Sequence, residues 1–194
     1  MKKKEDPDIF PLSKEKSIKG SRRLLREKVI QILTSYEISE TPWTAVFEHI
    51  FFRDFNFGDE EEQSGKLLTP DQISEIESDI PIIWDPEEIV YARNLIEYAI
   101  EHRGEIDEKI SSIAANWEIE RIAVIDKMII HLAVTEILIS SHVPVKVTLN
   151  EAIDLAKKFS TAKSGIFVNG VLDKFLELMK NEDIIHKEGK GLQE

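Results

Sequence analysis

No cysteine occurs anywhere in the 194 residues. Disulfides, thiolate metal sites and a cysteine nucleophile are therefore out of reach, and a reducing compartment suits the chain. Glycine is scarce, with eight in all, and neither G-x-G-x-x-G, a P-loop nor G-x-S-x-G can be found, so the loops that cradle phosphates or carry a serine nucleophile are missing. There is no H-E-x-x-H, and His49, His102, His131, His142 and His186 never fall four apart. Long apolar runs are missing too. The most apolar stretch, Glu120 to Ser140, is broken by Asp126, Lys127, His131, Thr135 and Glu136, well short of the ~18 uncharged residues of a membrane helix. At the front, MKKKEDPDIFPLS places charge and proline where a signal peptide needs an apolar core. The expectation is a cytoplasmic binding protein without catalysis, cofactor, metal or membrane span.

Positive charge is also in short supply: 25 basic residues face 37 acidic ones, a net charge of -12. That opposes indiscriminate nucleic-acid binding, which relies on a positive field. The distribution is uneven, however. Between Lys2 and Lys28 basic residues outnumber acidic ones two to one. A basic front on an acidic body points either to a local anionic ligand or to a solvated tail. The acids Asp59 to Glu62 lack the spaced ligands of a calcium loop and read as solvated.

What is abundant is helical patterning. Glu120–Ser140 is apolar almost all round, which places it in the middle of a bundle with its polar residues as the only candidates for a working surface. His131 within it reads as a satisfied, partly buried imidazole. Ser21 caps a helix whose apolar stripe is Leu24, Leu25, Val29, Ile32 and Leu33, with Arg22, Arg23 and Arg26 on its first turns away from that stripe. Arginines there fit phosphate or stack on bases, and fit a solvated face equally well. Thr41-Pro42 opens a second helix with Trp43, Val46, Phe47, Ile50 and Phe51 inward. Thr69-Pro70-Asp71 starts a short one after an acidic loop at 57–70. Pro81 and Pro86 bracket an extended patch, and Asp85-Pro86-Glu87-Glu88 opens a helix with Ile89, Ala92, Leu95, Ile96 and Ala99 as its core, ended by Gly104. A short helix from Ile106 to about Trp117 follows. Beyond Pro144, Val145 and Val147 read as extended, Thr148 or Asn150 as a cap, and Ser164-Gly165 as the start of the last helix.

Residues 144–176 read PVKVTLNEAIDLAKKFSTAKSGIFVNGVLDKFL. This closely resembles the NusB transcription antitermination family, with its P-x-K-V-x-x-N-E-A-x-x-L-A-K-x-F run followed by S-x-x-F-V-N-G-V-L-D. The ER…ID…LA…E pattern within 120–136 and RR-x-x-RE at Arg22–Glu27 resemble the same family in the same order. The resemblance implies an all-α, NusB-like bundle of about seven helices in two subdomains around a buried central helix. A basic extension (1–20) precedes the helical domain (21–182), and a polar tail (183–194) follows it. It further implies binding of boxA-type single-stranded RNA from ribosomal-RNA transcripts together with the ribosomal protein NusE, in an antitermination complex on RNA polymerase. Arg22, Arg23 and Arg26 would take the RNA-contacting positions, and Phe167 would lie near the RNA path. Asp126, Lys163 and Ser164 would face NusE. Leu24 and Lys163 depart from the family, which often has an arginine at the first position and an acid at the second. For F-V-N-G itself a core role for Phe167 and Val168, with Asn169-Gly170 as a close helix contact, competes with a place beside RNA. The other classes are a helical scaffold or homodimer with little RNA binding, and an RNA methyltransferase with a NusB-like front, disfavoured by the missing glycine-rich cofactor motif.

Overall fold

The computed structural model describes residues 18–39, 41–52, 82–113 and 122–181. The expected 57–70 loop, the helix start at Thr69, Trp117 and most of both terminal extensions lie outside them. Among the described residues the chain forms seven helices: α1 (Arg22–Ser39), α2 (Trp43–Phe51), α3 (Pro86–Glu101), α4 (Arg103–Ile113), α5 (Val124–Ile139), α6 (Val145–Phe159) and α7 (Ala162–Asn181). Two short strands, β1 (Ile18–Lys19) and β2 (Ile82–Ile83), pair in parallel, Ile18 beside Ile82.

Helix α5 is the axis. Ile129, Ile130 and Val134 are completely buried, and α1, α3, α4, α6 and α7 all pack on it. One apolar core runs from Leu25 in α1 through Leu95 and Ile96 in α3 to Phe175 and Met179 in α7. In α7 the buried residues Val168, Val171, Leu172, Phe175 and Met179 follow the 3.6-residue repeat, so the second half of the family-like motif is a helix with a fully apolar inner face.

Helix starts follow local chemistry. The Ser21 hydroxyl accepts from the Leu24 N–H (3.2 Å), as a cap should. The Glu88 carboxylate reaches back to the Asp85 N–H (3.3 Å) ahead of Pro86. Gly20 donates to the Ile83 carbonyl (2.7 Å), and a Cβ there would run into the Trp84 ring, so only glycine lets this strand cross so close.

Several boundaries differ from the expected ones. Thr41 does not cap α2; its hydroxyl takes a hydrogen bond from Ser39 (2.8 Å), and Pro42 itself precedes the helix. Gly104 lies in the first turn of α4 rather than between helices. Val145–Val147 are helical, because Pro144 already stands at the N-cap and its carbonyl takes the Val147 N–H (3.0 Å). Burial of Thr148 in α6 outweighs the weak β preference of the valines. Likewise Thr161 caps α7 three residues before Ser164, accepting the Ser164 N–H (3.1 Å).

Charges tie α4 to α5. The His131 ring, 2 % exposed, meets Asp107 Oδ1 through Nε2 at 2.8 Å, and Lys127 holds Asp107 Oδ2 at 3.0 Å. Burial pushes the Asp107 carboxyl up, but hydrogen bonds from His131 and Lys127 outweigh it and hold the group below its ordinary value. A depressed carboxyl stabilises the fold above its unfolded value and loses that contribution as pH falls through the folded one. Asp107→Asn should therefore cost about 1–3 kcal/mol near neutral pH. In urea titrations the gap from the parent chain should close below about pH 4; a gap independent of pH would refute the assignment.

Candidate nucleic-acid interface

The three arginines predicted to share one outward face are split by the fold. Arg26 lies in the same helical row as Val29, Ile30 and Leu33 and goes inward with them, 5 % exposed. Its Nε donates to Glu136 Oε1 (2.9 Å) and its Nη2 lies 2.9 Å from the same oxygen. Glu136 is completely buried and also accepts from the Tyr91 hydroxyl and from Thr148 Oγ1, both at 2.6 Å. Ser140 donates to the Tyr91 oxygen (3.2 Å), and Glu151 stands 3.7 Å from Arg26 Nη1. Burial and the neighbouring Glu136 charge hold the Tyr91 phenol above the usual tyrosine range, which keeps its proton available to the carboxylate. The placement of Arg26 corrects the outward reading. A buried carboxylate in α5 needs a cation, and the row from Arg26 to Leu33 supplies one.

Arg22 and Arg23 stay at the periphery. Arg23 is exposed and pairs loosely with Asp154 of α6 (3.4 Å). The Arg22 guanidinium lies over the Tyr91 ring, 3.9 Å from its centroid, with no acidic partner among the described residues. Lys158 of α6 reaches back to Glu27 (2.6 Å). Residues 23, 26 and 27 of α1 thus face 154, 151 and 158 of α6, an ionic seam that fixes the first turns of α1.

The other expected site residues sit on two further helix starts. Ser164 is buried at the α7 start, within 2.9 Å of both the Ser160 and Thr161 hydroxyls, and Lys163 beside it is exposed. Phe167 is half-buried against the core and Val168 is fully buried. Gly170 has open space where a Cβ would stand, so it is not a close helix contact; that part is played by Gly165 against Lys157. Asp126, in the first turn of α5, is 6 % exposed, and its Oδ1 has no hydrogen-bond partner among the described residues. Helix α6 pairs with α1 through Asp154 and Arg23 and packs on α7. The polar residues of α5, expected as a working surface, are inside: His131, Thr135 and Glu136 are 2 %, 0 % and 0 % exposed. His131 and Glu136 cross-link helices, whereas Thr135 Oγ1 has no hydrogen-bond partner among the described residues. Tyr91 and Asp154 are additions that no motif singled out.

Fold and site define a class: an all-helical bundle on a buried central helix, with Arg22 and Arg23 at the periphery of one helix start. The NusB family model matches residues 23–177, and the chain belongs to that family. Transcription antitermination protein NusB of Chloroherpeton thalassium is 33 % identical over 172 residues, covering 89 % of this chain and 69 % of that protein. The solved structure of T. maritima NusB superposes with a TM-score of 0.62 at 27 % identity, over 82 % of this chain and 93 % of that one. A chain from the crystal structure of the antitermination factors NusB and NusE with double-stranded RNA shares the fold at TM-score 0.59 and 20 % identity, over 81 % and 96 % of the two chains.

Removing one member of a buried ion pair strands the other, at about 3–5 kcal/mol, whereas replacing both by apolar residues is close to neutral. Glu136→Ala should destabilise the chain by that amount in urea denaturation, and the double variant Arg26→Met/Glu136→Leu should recover part of the loss, the Tyr91 and Thr148 hydroxyls remaining without their acceptor. A neutral Glu136→Ala would show that the cluster is not the anchor of α1.

Proposed function

We propose that this chain is a transcription antitermination factor that binds boxA-type single-stranded RNA of ribosomal-RNA transcripts together with NusE, in the cytoplasm, and joins the antitermination complex on RNA polymerase. The work is assembly rather than catalysis. The observation that carries the reading is the start of α1 in a NusB-family chain: Arg22 has no acidic partner among the described residues, and Arg23 is exposed. Guanidinium groups on a fixed helix end suit phosphate, and half-buried Phe167 offers an aromatic edge for bases. Arg26 serves the same site from beneath by fixing α1. NusE would meet Asp126, Lys163 and Ser164, of which Lys163 is the exposed one. The -12 charge of this chain also favours a basic partner.

The test is fluorescence anisotropy of a boxA-like RNA with this chain and its own NusE at two salt concentrations. Arg22→Ala/Arg23→Ala should weaken binding at least about tenfold and flatten the slope of log K against log salt by about 1–1.5, as two lost phosphate contacts would. Binding indifferent to both arginines would remove the proposed surface, and no binding with NusE present would leave a helical scaffold instead. Because Asp154 competes with phosphate for Arg23, Asp154→Asn should tighten binding roughly twofold to fivefold; unchanged affinity would mean that Arg23 is not in the RNA path.

A further inference from the structure

The three arginines of α1 differ in what neutralises them. Glu136 takes the charge of Arg26 and Asp154 shares that of Arg23, while the Arg22 guanidinium has, among the described residues, only the face of the Tyr91 ring, 3.9 Å away. Arg22 as a whole is only partly buried; its Nη1 is sealed from water and has no hydrogen-bond acceptor among the described residues, so the rest of the guanidinium is the part open to an anion. A cation so placed is attracted by the ring but not paired, and it retains its capacity for an anion. The ring is itself immobilised. Its hydroxyl donates to Glu136 (2.6 Å), accepts from Ser140 (3.2 Å), and its edge meets the His142 ring, centroids 5.7 Å apart. Donation to a carboxylate also makes the phenol ring more electron-rich, which strengthens its hold on a guanidinium.

Resting on the RNA reading above, we infer that Tyr91, held in place by Glu136, is a positioning residue for Arg22, and that Arg22 is the cation of this helix start that seats an RNA phosphate. A free arginine spends rotamer freedom when it binds; one laid flat on a fixed ring has already lost it, so the phosphate meets a prepared group. Buried Glu136 is then coupled to the surface by a short relay, from carboxylate to phenol to guanidinium, as well as through Arg26.

The test is a double-mutant cycle in RNA anisotropy, using the full chain with its NusE and the boxA-like RNA. Arg22→Ala and Tyr91→Leu should each weaken binding roughly threefold to tenfold, the range a guanidinium–aromatic contact supports. The double variant should be no weaker than Arg22→Ala alone, while Tyr91→Phe, which keeps the ring but frees it from Glu136 and Ser140, should fall between the parent and Tyr91→Leu. Independent, multiplying effects, or full affinity in Tyr91→Leu beside a weakened Arg22→Ala, would overturn the positioning role. Retained NusE binding checks that Tyr91→Leu is folded. Should it fail to fold, NMR of the unmodified free chain decides: the Arg22 side-chain protons should be shifted upfield by the ring, and their absence from that region would overturn the inference. If the parent chain binds no RNA, the functional reading falls together with the phosphate assignment, and the NMR result still settles whether Tyr91 holds Arg22.

Discussion

A single buried carboxylate organises this molecule. Glu136 sits on the central helix with no exposure to water, where an unpaired charge would be prohibitively costly. It is tolerated because α1 supplies Arg26, α3 supplies Tyr91 and α6 supplies Thr148, all within 2.9 Å. Each bond runs to a different helix, so satisfying one charge fixes the relative placement of four elements. Such a cluster gives little net stability compared with an apolar equivalent. What it adds here is direction: it can be satisfied only if α1 enters the bundle at one depth and one rotation.

That constraint explains the surface. With Arg26 drawn inward, the preceding turn is held against α3 and α6, Arg22 lies on the Tyr91 ring, and Arg23 faces Asp154. Two arginines at a helix start are unfavourable beside the positive end of the helix dipole, and the ring and the α6 acids offset part of that cost. The result is a small, prepared patch of positive charge on a chain whose net charge is -12. A local patch of this kind discriminates better than a diffusely basic surface, since little of the rest attracts nucleic acid.

Much of this was legible in the residues. The bundle, its central helix, the Ser21 cap and the inward stripes of α1 and α3 follow from periodicity and capping chemistry. The segment Pro144–Leu176 together with the arginine start carried the family. The inward turn of Arg26 was half-visible: it shares a helical row with Val29, Ile30 and Leu33, and an acid inside an apolar helix demands a cation. Charge weighed against that reading, because arginine is expected outside. Tyr91 was similarly available, in line with Leu95 and Ala99 at four-residue spacing. What no local pattern could convey is which partner each polar group meets. The pairings Arg26–Glu136, His131–Asp107 and Arg23–Asp154 join residues 110, 24 and 131 positions apart, and only the packed bundle brings them together.

Burial of Arg26 separates one structural arginine from two that remain for an anion. Arginine side-chain NMR spectra of the chain with NusE, recorded while single-stranded boxA-like RNA is added, test it directly. The Nε–H signals of Arg22 and Arg23 should move with RNA while that of Arg26 stays where it is in the free protein. Movement of Arg26 as large as that of the other two, or no movement of Arg22, would contradict it.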